Sequence, residues 1–121
     1  MRAAVALLLL VTACAHAPST SCTCAPKPQP EEVAVLQDWA LSRCIAKVAE
    51  GQLAGQDASS TAAAFLERGR GGIEVYEQID RMIDGVLARR YSGSVPGDYN
   101  LLKCLELYHS AGLADLARDA N

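Results

Sequence analysis

Apolar residues recur at helical spacing from Val35 to Leu113, and two of the chain's five cysteines fall on those apolar faces. Val35, Leu36, Trp39, Ala40, Ile45 and Val48 mark a first helix. Glu31 and Glu32 stand where a helix N-terminus favours negative charge, and Gly51 ends the pattern. Asp57 or Ser59 is the expected cap of a second, alanine-rich helix carrying Phe65 and Leu66, which stops at the glycines between positions 69 and 72. The third helix is the longest, with Ile73, Tyr76, Ile79, Ile83, Val86, Leu87 and Tyr91 as its stripe and Arg89 and Arg90 in its last turn, where cations complement the dipole. A loop of turn residues follows. Asp98 is then the expected N-cap of a fourth helix whose Leu101, Leu102, Leu105 and Tyr108 face inward; Gly112 breaks it, and residues 113–118 make a short last helix. No alternating run is long enough for a sheet. These patterns predict an all-α domain, a small bundle of four to five helices over residues 31–121.

At 121 residues the chain has room for one domain. Arg2 followed by the apolar run from Ala3 to Val11 reads as an export signal over residues 1–13, because about nine apolar residues are too few for a bilayer that needs roughly 20. Its end, Val11-Thr12-Ala13-Cys14, resembles the lipobox of bacterial lipoproteins, which implies acylation of Cys14; ordinary cleavage after Ala13-Cys14-Ala15 is the competing reading. Ala15 in place of Asp after the cysteine implies, by the same resemblance, sorting to the outer membrane of a Gram-negative cell. Residues 14–30 are small, polar and proline-rich, and read as an extended tether. Removing residues 1–13 takes away one charge, Arg2, and moves the net charge from −3 to −4, which disfavours nucleic acid as a partner.

Five cysteines in a short exported chain point to disulfides. With Cys14 acylated, four thiols remain. Cys22 and Cys24 lie in the tether, whereas Cys44 and Cys104 each lie on the apolar face of a strong helical segment, so a Cys44–Cys104 bridge is the favoured pairing. It closes a loop of about 61 residues, worth on the order of 4 kcal/mol in the chain-entropy model. Cys22 and Cys24 lack a second ligand pair for zinc, and no metal or other cofactor is expected.

Catalytic arrangements are sparse. Ser42 or Cys44 with His109 would supply a nucleophile and a base, but Cys44 has a thiol partner on a buried face and His109 stands near a helix end. Asp80 and Asp84, four apart on the third helix, read as solvated charge on its outer face, with Arg81 close enough to blunt their repulsion. Gly69-Arg-Gly-Gly72 has no preceding strand and is no phosphate loop. No catalytic residue is assigned, and no enzyme is expected.

Three segments carry a family resemblance: Asp38-Trp-Ala-Leu-Ser-Arg-Cys-Ile45, Arg90-Tyr-Ser-Gly-Ser-Val95 and Tyr99-Asn-Leu-Leu-Lys-Cys-Leu-Glu-Leu-Tyr-His-Ser110. Together, from about Leu36 to Leu116, they resemble the amidase immunity proteins of bacterial type VI secretion, in particular the family that neutralises the fourth group of amidase effectors. The resemblance implies a small periplasmic helical protein, usually a homodimer, that binds a papain-like peptidoglycan amidase and blocks it. It also implies that the loop between the third and fourth helices enters the enzyme's groove. Here that loop is Ser92, Gly93, Ser94, Val95, Pro96, Gly97, Asp98 and Tyr99. Its composition suits insertion into a polar cleft, since Pro96 limits the entropy lost on binding, Ser92, Ser94 and Asp98 offer polar contacts, and tyrosine is enriched at interface hot spots. The competing assignment is a structural envelope lipoprotein with no enzyme partner, which leaves the second cysteine segment and the loop unexplained.

Overall fold

The computed structural model describes residues 30–120. The signal, Cys14, Cys22, Cys24 and the tether up to residue 29 lie outside the described residues. Five helices follow one another: α1 Pro30–Val48, α2 Leu53–Arg68, α3 Ile73–Leu87, α4 Asn100–Tyr108 and α5 Ala111–Asp119. Among the described residues there is no strand, in keeping with the expected all-α class. No described helix is long and apolar enough to cross a membrane.

Local chemistry starts α1 and α5. Pro30 occupies the first position of α1, where its missing N–H costs nothing, and Glu31 and Glu32 follow in the first turn. Ser110 caps α5 by accepting a hydrogen bond from the Leu113 amide at 3.2 Å while its hydroxyl donates to the Leu107 carbonyl at 2.7 Å. Gly112 therefore lies inside α5 and does not separate it from α4; the Ser110 cap does. Likewise α2 begins at Leu53 after Gln52, and Asp57 and Ser59 sit within it, where the Ser59 hydroxyl donates back to the Gly55 carbonyl at 2.9 Å.

α2 lies along α1 through small residues, Ala46 from one side and Gly55, Ala58 and Ala62 from the other. A Cβ on Gly55 would stand 2.6 Å from the carbonyl carbon of Ala49, in the turn just after α1, so the close return of α2 against that turn requires glycine there. The main core gathers Leu36, Trp39, Ala40 and Cys44 from α1, Ala62 from α2, Val75, Tyr76, Ile79, Ile83 and Val86 from α3, Cys104 and Leu107 from α4, and Leu113 and Ala117 from α5. Trp39 and Tyr76 meet edge to face with centroids 4.9 Å apart, and burial raises the Tyr76 phenol above its ordinary pKa. The predicted Cys44–Cys104 disulfide is present, with its Cα atoms 5.7 Å apart, and it ties the middle of α1 to α4.

Two expectations about charge and face are corrected. Asp80 is half-buried, and Asp84, though exposed, is paired: α1 lies beside both. Arg43 Nε donates to Asp80 at 3.0 Å, and Lys47 Nζ donates to Asp80 at 2.9 Å and to Asp84 at 2.6 Å. Burial alone would raise the Asp80 pKa, but the hydrogen bonds and charges of Lys47 and Arg43 outweigh it and hold the carboxyl below its ordinary value. Burial likewise acts to lower Lys47, and Asp84 and Asp80 overcome it, leaving the ammonium raised. On α4, Leu101, Leu102 and Leu105 are 57%, 43% and 40% exposed, and Tyr108 is half-buried; Lys103, Cys104 and Leu107 face the core instead. A nine-residue helix with four leucines has no single apolar stripe, so the disulfide at Cys104 decides which way it is rotated.

Candidate functional site: the α3–α4 loop and its foot

The helix α3 stops at Leu87, one turn earlier than its apolar stripe suggests, so Arg89, Arg90 and Tyr91 belong to the connection. The Arg89 amide bonds the Val86 carbonyl at 3.2 Å, a tight final turn that closes the helix. Residues 92–98 are all exposed, Val95 at 67%. An apolar side chain at that exposure on a projecting loop has no partner within its own fold.

Tyr99 closes the loop. It is the one described non-glycine residue with positive φ, at 54°, and it stands at the N-cap of α4 without a side-chain cap bond; the expected cap, Asp98, is exposed one residue earlier. The left-handed conformation carries strain of about 1–2 kcal/mol for a residue with a Cβ. What holds it is the ring, folded back so that its hydroxyl donates to the Val95 carbonyl. A Cβ on Gly93 would meet that hydroxyl and stand 3.1 Å from the ring carbon Cζ, so glycine at 93 leaves the space the ring occupies. Gly97 has no such neighbour and no positive φ. Tyr99 is thus half-buried within the loop, whereas Ser92, Ser94, Val95, Pro96 and Asp98 are presented outward.

The loop's foot is pinned by a residue that sequence reasoning passed over. Lys103 is only 4% exposed, and its ammonium donates to the Leu87 carbonyl at 3.2 Å and to Asn100 Oδ1 at 3.1 Å. One cation thereby joins the last carbonyls of α3 to the first turn of α4, with the negative end of the α3 dipole helping to hold it. Tyr91 covers the ammonium, its centroid 5.5 Å away, and its hydroxyl donates to Glu106 on α4. That hydrogen bond, then burial and the Glu106 charge, raise the Tyr91 phenol, with Arg89 acting in the opposite sense. The available signal was adjacency: Lys103 precedes Cys104, which turns inward, and follows Asn100 by one helical turn.

The cysteine alternative loses its nucleophile. Cys44 is buried and in disulfide linkage, so it presents no thiol nucleophile, and His109 sits at the C-cap of α4 with its ring edge-on to Tyr108 at 5.0 Å.

What this arrangement defines is a binding protein of one class: a disulfide-stapled helical domain that projects a loop. Residues 34–117 match the family model described as type VI secretion system amidase immunity protein, Tai4, and the chain belongs to that family. Solved structures agree. The Tae4/Tai4 effector–immunity system of Salmonella typhimurium is similar at 35% identity and TM-score 0.66, with 71% of this chain and 85% of that chain covered. The Tae4–Tai4 complex of Enterobacter cloacae is similar at 31% identity and TM-score 0.63, covering 71% and 88%. A structure described as part of new type VI-secreted toxins and self-resistance proteins in Serratia marcescens is 32% identical at TM-score 0.69, covering 90% and 86%. Among curated proteins no match was found.

Proposed function

We propose that this immunity protein binds a Tae4-type peptidoglycan amidase and inhibits it by seating residues 92–99 in the enzyme's active-site groove. The observation that carries the reading is the exposed, self-closed loop between α3 and α4, held at its foot by Lys103. A folded loop loses little conformational freedom on binding, which favours affinity. Nanomolar inhibition requires about −12 kcal/mol, and a standard interface buries about 1,600 Å², more than one short loop supplies. Leu101, Leu102 and Leu105, exposed on α4 directly after the loop, extend the contact, and a second protomer adds to it in a homodimer. The protein acts by binding and not by catalysis. It faces the periplasm, anchored to the outer membrane through acylated Cys14, a place from which it intercepts an amidase before the enzyme reaches peptidoglycan.

The test is co-expression with the amidase in the periplasm of a sensitive host. Protection is the expected result, and lysis regardless of this protein would end the reading for that pair. Sedimentation of the purified domain reports the dimer, and mass spectrometry of the membrane-extracted chain reports acylation at Cys14.

A further inference from the structure

Beside the loop, between the end of α3 and the start of α4, lies a polar notch of about 470 Å³ lined by Arg89, Arg90, Asp98, Asn100 and Lys103 among others. Its charge balance runs against that of the chain as a whole. The chain as a whole is acidic, at −3, yet three cations and one carboxylate line this notch. Among the described residues neither Arg89, Arg90 nor Lys103 forms an ion pair with a carboxylate. Glu106 is engaged by the Tyr91 hydroxyl and does not line the notch.

Lys103 is the most informative of the three. A buried ammonium is costly unless its donors and its charge are both met. Its two acceptors, the Leu87 carbonyl and the Asn100 side-chain oxygen, are neutral, and an ammonium has a third N–H. The first amides of α4 add to the same side, since Tyr99 caps them with no side-chain acceptor, and an uncapped helix N-terminus attracts negative charge. Buried cation, two guanidiniums without a carboxylate partner and uncapped amides thus line one opening.

The geometry points to a socket for a carboxylate, and the occupant it fits is an Asp or Glu side chain on the rim of the amidase groove, received as the loop enters. This inference rests on the inhibitory reading above. An arginine fork accepts a carboxylate bidentately, and exclusion of water by the docked partner strengthens the pair. The socket fixes the register of the loop in the groove, so it contributes to the choice of cognate enzyme as well as to affinity.

Calorimetry of the full mature chain with the amidase separates the socket from the inhibitory function. Inhibition of the amidase by the wild-type chain, assayed alongside, reads the inhibitory function, and the ratio of variant to wild-type affinity reads the socket. The Arg89→Ala/Arg90→Ala variant, altered only at exposed positions, is expected to bind about tenfold more weakly and with a shallower dependence on salt. Lys103→Met should shift in the same direction if it folds. Replacing amidase rim carboxylates one at a time by their amides should reveal one whose loss costs nothing further in the arginine variant. Unchanged affinity of the arginine variant would overturn the socket, as would a loss that couples to no carboxylate. So would binding of inorganic phosphate at the notch that leaves amidase affinity untouched.

Discussion

The stapled core and the α3–α4 loop are built on opposite terms. Around Cys44 and Cys104 the side chains are apolar, buried and supplied by five helices, so their stabilisation comes from burial and from a restricted unfolded state. In residues 92–98 everything is exposed, and order comes from a few polar pins: Tyr99 on Val95, Tyr91 on Glu106, Lys103 on Leu87 and Asn100. The two regions nonetheless meet in one residue pair. Cys104 is next to Lys103, so the bond that staples the core also sets the rotation of α4, and that rotation delivers Lys103 to the loop's foot. Stability and recognition are separable in kind but linked through the turn of one short helix.

The comparison breaks hardest at the disulfide. Replacing Cys44 and Cys104 together by serine should cost about 4 kcal/mol, read as a fall in the urea midpoint, and should weaken protection because α4 is no longer held in rotation. Full protection by that variant would show that the loop is independent of the staple. Next, Leu113→Ala removes a wholly buried side chain and should cost about 3 kcal/mol while leaving the amidase affinity of the folded fraction unchanged.

A smaller effect is expected at the α1–α3 ion pairs, which touch neither region directly. Asp80→Asn should cost about 1 kcal/mol near neutral pH, since these side chains are partly exposed. The sign with pH follows from the directions of the shifts. Asp80 is lowered when folded, so its contribution is present above its ordinary value of 3.8 and is lost as pH falls through the folded value. Lys47 is raised, so its contribution is complete below 10.5 and is lost as pH rises through its folded value. Thermal melts of wild type and Asp80→Asn should therefore differ by a constant amount between these limits and converge in acid. A difference that varied across the neutral range would mean that another group reports on this interface. Smallest in stability is the exchange of residues 95–98 for a Gly-Ser linker: a change of about 0.5 kcal/mol or less is expected, because surface positions carry little. Co-expression should nevertheless show protection lost. Undiminished protection would remove the loop from the inhibitory surface.

Much of the fold is legible in local spacing. Helical recurrence at Leu36, Trp39, Ile79 and Ile83 announces α1 and α3, and two cysteines on apolar faces announce their bridge. The loop is visible as turn residues between two helices. What escapes are relations across space. Asp80 and Asp84 read as solvent-facing until α1 supplies Arg43 and Lys47. Arg89 and Arg90 look like a last helical turn, yet α3 ends at Leu87, the carbonyl that Lys103 takes.

By itself, then, the sequence determined that this chain forms helices, that two cysteines join them, and that one connection stands clear of the core; each follows from local spacing, turn chemistry and the placing of apolar residues. Only the tertiary structure decided which face of α4 turns inward. That outcome rests on packing across 60 residues of separation at the disulfide, where burial of Cys104 outweighs the exposure of three leucines and carries a charged lysine into the interior.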